Sequence, residues 1–183
     1  DGHDYIKQAV AGGAVAALVE QEQSISLPQL KVANSLDALG DIAYAVRGNF
    51  NKPVVAVTGS SGKTTTKEML RILLGESVTH STVGNWNNRI GVPMTLFGLD
   101  EQKQEFAVIE AGINQTGEMA HLGKMICPDL NILTNIGAAH LELLGTLDNI
   151  ASEKSLLVQY AAKSSPVILT SDALRFPAYK DLA

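Results

Sequence analysis

At 183 residues, with 45% hydrophobic and 18% charged residues, the chain can bury one sizeable core and a smaller second one, and it is too apolar to be disordered. Fourteen basic residues against 19 acidic ones leave a formal net charge of −5, which excludes a nucleic-acid surface built on bulk positive charge and makes any anionic ligand depend on a local site. One cysteine, Cys127, excludes an internal disulfide framework and a cysteine-rich zinc site, and its expected place is the core.

The first residues, DGHDYIKQ, carry no basic-then-apolar leader pattern, and no apolar run approaches the roughly 18 residues of a spanning helix. A cytoplasmic protein without a membrane span is the expectation. The chain starts at Asp1 without a Met and runs into a helix by Tyr5, so its ends are expected to be those of a fragment. Ile6, Ala9, Val10 and Gly13 have helical spacing, and the apolar run over 14–19 predicts a buried strand. A second short strand is predicted over 30–32. Asn34 or Ser35 can cap a helix over 36–46, with Leu36, Leu39, Ile42, Ala43 and Val46 on one face. Residues 47–53 read as a hinge or linker.

From Pro53 the pattern alternates. Strands are predicted at 54–58, 77–81, 106–110, 130–134 and 167–170, and helices at 63–74, 93–98, 116–125 and 147–161. This is an α/β pattern: a parallel sheet with helices on both faces, of the kind found in phosphate-binding-loop NTPases, preceded by part of a small α/β domain. In such folds chemistry sits beyond the C-terminal ends of the strands. No internal repeat is visible.

The sequence VVAVTGSSGKTTTK, beginning at Val54, carries the phosphate-binding signal. A buried strand delivers the chain to Gly59, Ser60, Ser61 and Gly62, whose backbone N–H groups can approach phosphate oxygens at the N-terminus of the next helix. Lys63 supplies a point charge for the outer phosphates, Thr64 a hydroxyl for Mg²⁺, and Thr65 continues the first helical turn. Where the general pattern has its first glycine this chain has Val57, so the loop is a shortened variant.

Glu110 ends an apolar strand, either as a Mg²⁺ ligand beside that loop or as a solvated strand-end acid. After the next strand come Asn135 and His140, and a neutral imidazole there could complete a metal site. Consecutive strands of this kind are expected to bring their loops together. Asn85, Asn87 and Asn88 form an amide cluster that suits either a polar substrate or a turn, and Trp86 is either a stacking surface or a buried anchor. Composition alone makes Lys154, on a predicted helix beside Glu153, a solvated lysine.

Taken together, TGSSGKTTTKEML, GNWNNRIGVP, VIEAGINQTGEM, LTNIGAAHLELLG and IASEKSLL resemble, in that order, the Mur ligase family. GNWNNRIGVP, the GEM after Glu110 and DGHDYI look most like the member that joins D-alanyl-D-alanine to UDP-N-acetylmuramoyl-tripeptide in peptidoglycan assembly. The resemblance implies an ATP-dependent amide ligase working through an acyl phosphate, with ATP and Mg²⁺ as cofactors and a monomer as the unit. It assigns Lys63, His140 and Lys154 to catalysis, the loop from Gly59 to Thr65 to the nucleotide, Asn85, Asn87 and Asn88 to the substrate side, and Thr64, Glu110, His140 and Lys154 to metal. Lys154 matches the position that family members carry as a carbamylated lysine. Residues 1–50 are then the remainder of a UDP-substrate domain and 51–183 the central ATP-binding domain, with the C-terminal domain absent and the fragment inactive alone. Ala111 and Ile113 depart from the usual Met and Ala, and neither change removes a reacting group.

The alternatives are a ligase adding a single amino acid, a folylpolyglutamate synthase, or a nucleotide-binding module without ligase activity. The GNWNN segment argues against the first two. An ordinary phosphate-loop hydrolase or kinase is disfavoured by Val57.

Overall fold

The computed structural model describes residues 2–139, 141–161 and 165–182. The chain divides into two compact units, Asp1–Leu39 and Gly40–Ala183.

In the first unit a 3-10 turn (Gly2–Tyr5) leads into helix α1 (Ile6–Ala11), and strands β1 (Ala17–Val19) and β2 (Gln29–Lys31) pair in parallel. The strand predicted over 14–19 starts three residues late. The α1 terminus explains this, because Gly13 N donates to Val10 O at 3.0 Å and Ala14 N to Ala9 O at 2.9 Å, holding these residues in a turn. Helix α2 (Ser35–Gly48) is capped as expected by Asn34, whose Oδ1 accepts from Asp37 N at 3.0 Å. The division between the units falls inside α2.

The second unit is built on a five-stranded sheet. Its centre is β3 (Val54–Thr58), flanked by β5 (Phe106–Glu110) and β6 (Leu130–Leu133), with β4 (Thr79–Ser81) outside β5 and β7 (Val167–Leu169) outside β6. All pairs are parallel, with Val57 opposite both Glu110 and Ile132. Every residue of β3 is buried, as a strand covered on both faces requires. Val55 and Val57 pack with Val108 and with Leu70 and Leu74 of helix α3 (Lys63–Leu74). Val54 and Ala56 face the other way, toward Val92 of α4 (Gly91–Leu96), Leu122 and Ile126 of α5 (Glu118–Ile126), and Ile150 and Leu157 of α7 (Leu147–Gln159). Each such side chain, fully buried, is worth about 1.5–3 kcal/mol. The expected α/β architecture with helices on both faces is therefore present, and β3, α3 and β5 coincide with their predicted spans.

Three expectations need correction. Residues 47–53 are not a linker: Arg47 is buried and donates to the carbonyls of Phe50 (2.8 Å), Ile126 (2.9 Å) and Cys127 (3.0 Å) and to Asp129 Oδ2 (2.9 Å). The planar guanidinium fork gathers four acceptors where the helix ends, and Phe50 joins the core. Cys127 is not a core residue. It is half-buried at the C-terminus of α5 with φ 41°, in the left-handed region, and its N–H closes the helix on Gly123 O at 2.9 Å. Short elements were also missed: helix α6 (Leu141–Leu144) and the 3-10 turns Ser171–Arg175 and Pro177–Leu182.

Candidate functional site

The strand order puts β3 between β5 and β6, so the loop after β3 lies between the ends of the strands that carry Glu110 and lead to Asn135. The two later strands are not neighbours in the sheet; the loop that β3 delivers lies between their ends, at the point where the sheet is wound in both directions.

Because β3 continues through Thr58, the position of Val57 is strand and the loop shrinks to Gly59, Ser60, Ser61 and Gly62. Gly62 has φ 77° and Gly59 φ 149°. A Cβ on Gly59 would lie 1.9 Å from Thr134 Oγ1, so the glycine is required by close approach as well as by dihedral. The residues after β6 grip the loop. Ser60 N donates to Asn135 O (3.1 Å) and Ser61 N to Asn135 Oδ1 (2.9 Å). Thr134 Oγ1 donates to Ser61 O at 2.5 Å, and Ser60 Oγ is held between Gly137 O and N at 3.0 and 2.9 Å.

With the Ser60 and Ser61 amides engaged, anion binding in this conformation falls to the amides of Lys63, Thr64 and Thr65, which have no intrahelical acceptor in the first turn of α3. Lys63 Nζ donates to Gly59 O at 3.0 Å, arching over the loop.

Glu110 is not a solvated strand-end acid. It is 1% exposed, with Oε2 accepting from Thr64 Oγ1 at 2.9 Å and Oε1 from Asn87 Nδ2 at 2.8 Å. A hydroxyl and a buried carboxylate at hydrogen-bond distance form a hard oxygen pair, which fits Mg²⁺, a cation that takes few protein oxygens and keeps water and phosphate oxygens for the rest. His140 lies outside the described residues. Among the described residues no group of three or more His, Cys, Asp or Glu side chains could hold a metal.

The three asparagines have three different settings. Asn87 serves Glu110. Asn88 Oδ1 accepts from the backbone N–H of Ile90 (3.0 Å) and Gly91 (2.9 Å) at the entry to α4, which is the turn role. Asn85 and Asn88 line a cavity of about 400 Å³ together with Trp86, Ile90, Gly91 and Met94. Trp86 is 53% exposed, a surface and not a buried anchor.

Lys154 overturns the solvated reading drawn from composition. It is 3% exposed, because α7 is covered on one side by α5 and on another by the Pro177–Leu182 turn. Burial, assisted by the nearby charge of Lys63 and opposed by Glu153, pulls its ammonium down to about 8. Glu153, equally missed, is buried and accepts from Gly117 N (2.9 Å) and Met119 N (3.0 Å), completing the N-terminus of α5 where Gly117 has no side chain to do so.

The order of the motifs, the short glycine loop and the Thr64–Glu110 pair agree with a match of residues 57–182 to the Mur ligase middle domain. The chain belongs to the Mur ligase family. It is 42% identical over 178 residues to the UDP-N-acetylmuramoyl-tripeptide–D-alanyl-D-alanine ligase of Haemophilus influenzae, which covers 94% of this chain and 39% of that protein. Identity to the Escherichia coli enzyme of the same name is also 42%, over 173 residues, covering 94% of this chain and 38% of the relative. The chain thus spans about two fifths of the curated relatives it matches. Among solved structures, MurF from Acinetobacter baumannii superposes with a TM-score of 0.89 at 36% identity, covering 99% of this chain and 41% of that one. MurF from Thermotoga maritima in complex with ADP gives 0.87 at 36%, covering 98% and 43%. A Mycobacterium tuberculosis folylpolyglutamate synthase gives 0.61 at 16%, covering 80% and 44%, a likeness of fold alone. No helix among the described residues of this Mur ligase chain is long and apolar enough to cross a membrane.

Proposed function

We propose that this chain is the nucleotide-binding core, with part of the UDP-substrate domain, of a cytoplasmic ATP-dependent ligase that joins D-alanyl-D-alanine to UDP-N-acetylmuramoyl-tripeptide. The observation that carries the reading is the convergence of Lys63, the first-turn amides of α3 and the Thr64–Glu110 pair at one strand-end crevice. Similarity to two ligases of that specificity, each at 42% identity, supports the choice of substrate over a single amino acid or a folate.

In the proposed reaction a tripeptide carboxylate oxygen attacks the γ-phosphorus of ATP, ADP leaves, and an acyl phosphate forms. The dipeptide amine then attacks the acyl carbon, loses a proton, and phosphate departs. This chain's part is positioning and neutralisation of charge. Lys63 and the amides of Lys63, Thr64 and Thr65 would hold the phosphates, with the glycines Gly59 and Gly62 letting the backbone come close. Mg²⁺, held by Thr64 and Glu110 with His140 and a carbamylated Lys154 serving a second ion, would screen the phosphate charge. Burial and the depressed ammonium of Lys154 support carbamylation, which needs a neutral amine to attack CO₂ and release a proton. Asn85 and Asn88, lining the Trp86 cavity, would face the UDP-linked substrate, while Asn87 would act through Glu110. The expected boundary at residue 50 moves into α2: residues 1–39 would belong to the UDP-binding domain and 40–183, with Phe50 in its core, to the ATP-binding domain, in a monomer.

Lys63→Ala in the complete gene product should reduce turnover by at least about 100-fold; unchanged turnover would rule out the phosphate-holding role of the loop.

A further inference from the structure

Lys67 lies one helical turn beyond Thr64 on α3 and is 1% exposed, an unusual burial for a lysine. Its Nζ donates to Thr82 O at 2.7 Å and pairs with Glu68 Oε1 at 2.8 Å. Thr82, also 1% exposed, stands one residue past β4 and extends the ladder, its N–H donating to Val108 O at 3.1 Å. The Thr82 hydroxyl oxygen accepts from the backbone N–H of Glu110 at 2.9 Å. From Thr82 the chain enters the amide loop, which returns to Glu110 through Asn87 Nδ2 at 2.8 Å from Oε1. Thr64 closes the ring at Oε2, 2.9 Å away.

Helix α3 therefore reaches Glu110 by two routes, at the carboxylate and at the backbone. Thr64 touches it directly, and Lys67 fixes the Thr82 peptide from which both the Glu110 N–H bond and the Asn87 loop are set. An ammonium buried to this extent is costly unless hydrogen-bonded and paired, and here its donors go to a carbonyl and a carboxylate.

Resting on the nucleotide reading above, we propose that Lys67 and Thr82 are positioning residues for the Glu110 carboxylate, coupling the phosphate-binding helix to the amide loop so that both oxygens of Glu110 are aimed when a divalent cation arrives with the nucleotide. Partners of metal ligands at this remove typically change metal affinity by about 10–100-fold when removed.

The test compares affinity for ATP alone and for ATP with Mg²⁺, by isothermal titration calorimetry on the complete gene product and on its Lys67→Met, Lys67→Arg and Thr82→Val variants, with folding followed by circular dichroism. The unsubstituted protein should bind more tightly with Mg²⁺. Lys67→Met and Thr82→Val should cut that Mg²⁺-dependent gain by about tenfold, leave affinity for ATP alone within about twofold, and Lys67→Arg should restore most of the gain. If Lys67→Met does not fold, Thr82→Val carries the comparison, since it nearly keeps the side-chain volume and removes the hydroxyl that accepts from Glu110 N. A gain preserved in the folded variants, or both affinities falling together, would make Lys67 a structural pin and overturn the inference. No nucleotide binding by the unsubstituted complete gene product would instead overturn the nucleotide reading, and this inference with it.

Discussion

At Gly59 one added methyl group meets Thr134 Oγ1 at 1.9 Å, in a backbone setting of φ 149° that L-residues rarely adopt. Gly59→Ala should therefore cost about 2 kcal/mol or more in urea denaturation, and Thr134→Ala added to it should return part of that loss. Equal loss in the single and double variants would contradict the collision. In its unmodified form, before any carbamylation, Lys154 gives a pH signature. Its folded-state ammonium sits at about 8, below the 10.5 of an exposed lysine, so between those values the unfolded chain holds the proton that the folded chain has shed. Stability should rise with pH through this window, by an amount on the order of 3 kcal/mol in all, and be flat with respect to this group below it. Urea midpoints measured at roughly pH 7.5 and 9.5 should show the rise, and Lys154→Met should remove most of it.

Helix ends explain what the elements add. Glu153 supplies the acceptor that Gly117 cannot, so Glu153→Ala should destabilise the chain by about 1–3 kcal/mol, leaving the buried Met119 amide and the half-buried Gly117 amide without this acceptor and Lys154 without its neighbouring negative charge. At the other end of α5 Cys127 is held at φ 41°, and Cys127→Gly should raise stability by about 1 kcal/mol, read as a higher melting temperature. A drop would show that the Cys127 side chain contributes more than its backbone costs. Element by element, what was legible in the sequence follows from local signals. β3 and β5 are apolar, mostly β-branched or aliphatic runs with sharp ends, and α3 starts at a glycine and carries an amphipathic pattern, so their spans were readable. Lys67, Glu153 and Lys154 were not, because a charged residue on a helix reads as solvated until tertiary packing closes over it from two sides. The role of Asn87 was hidden for a related reason. An amide in a turn-rich segment carries no sign of the carboxylate, 23 residues away in sequence, that it holds.

For the whole molecule, the parallel order β4-β5-β3-β6-β7 turns three sequence segments that look independent into one crevice, with the glycine loop at the centre and Glu110 and Asn135 on either side. The alternation of strands and helices announced that architecture, but not which strands would be neighbours, since adjacency depends on crossovers that leave no local mark. The likeness to relatives more than twice its length means that the ligase activity proposed here belongs to the complete gene product. Phosphate release by that product, measured with ATP, Mg²⁺ and UDP-N-acetylmuramoyl-tripeptide, with and without D-alanyl-D-alanine, tests the central claim most directly. Release that depends strongly on the dipeptide and yields the dipeptide-extended product is the predicted result. Release indifferent to the dipeptide but strongly dependent on a single amino acid would contradict it.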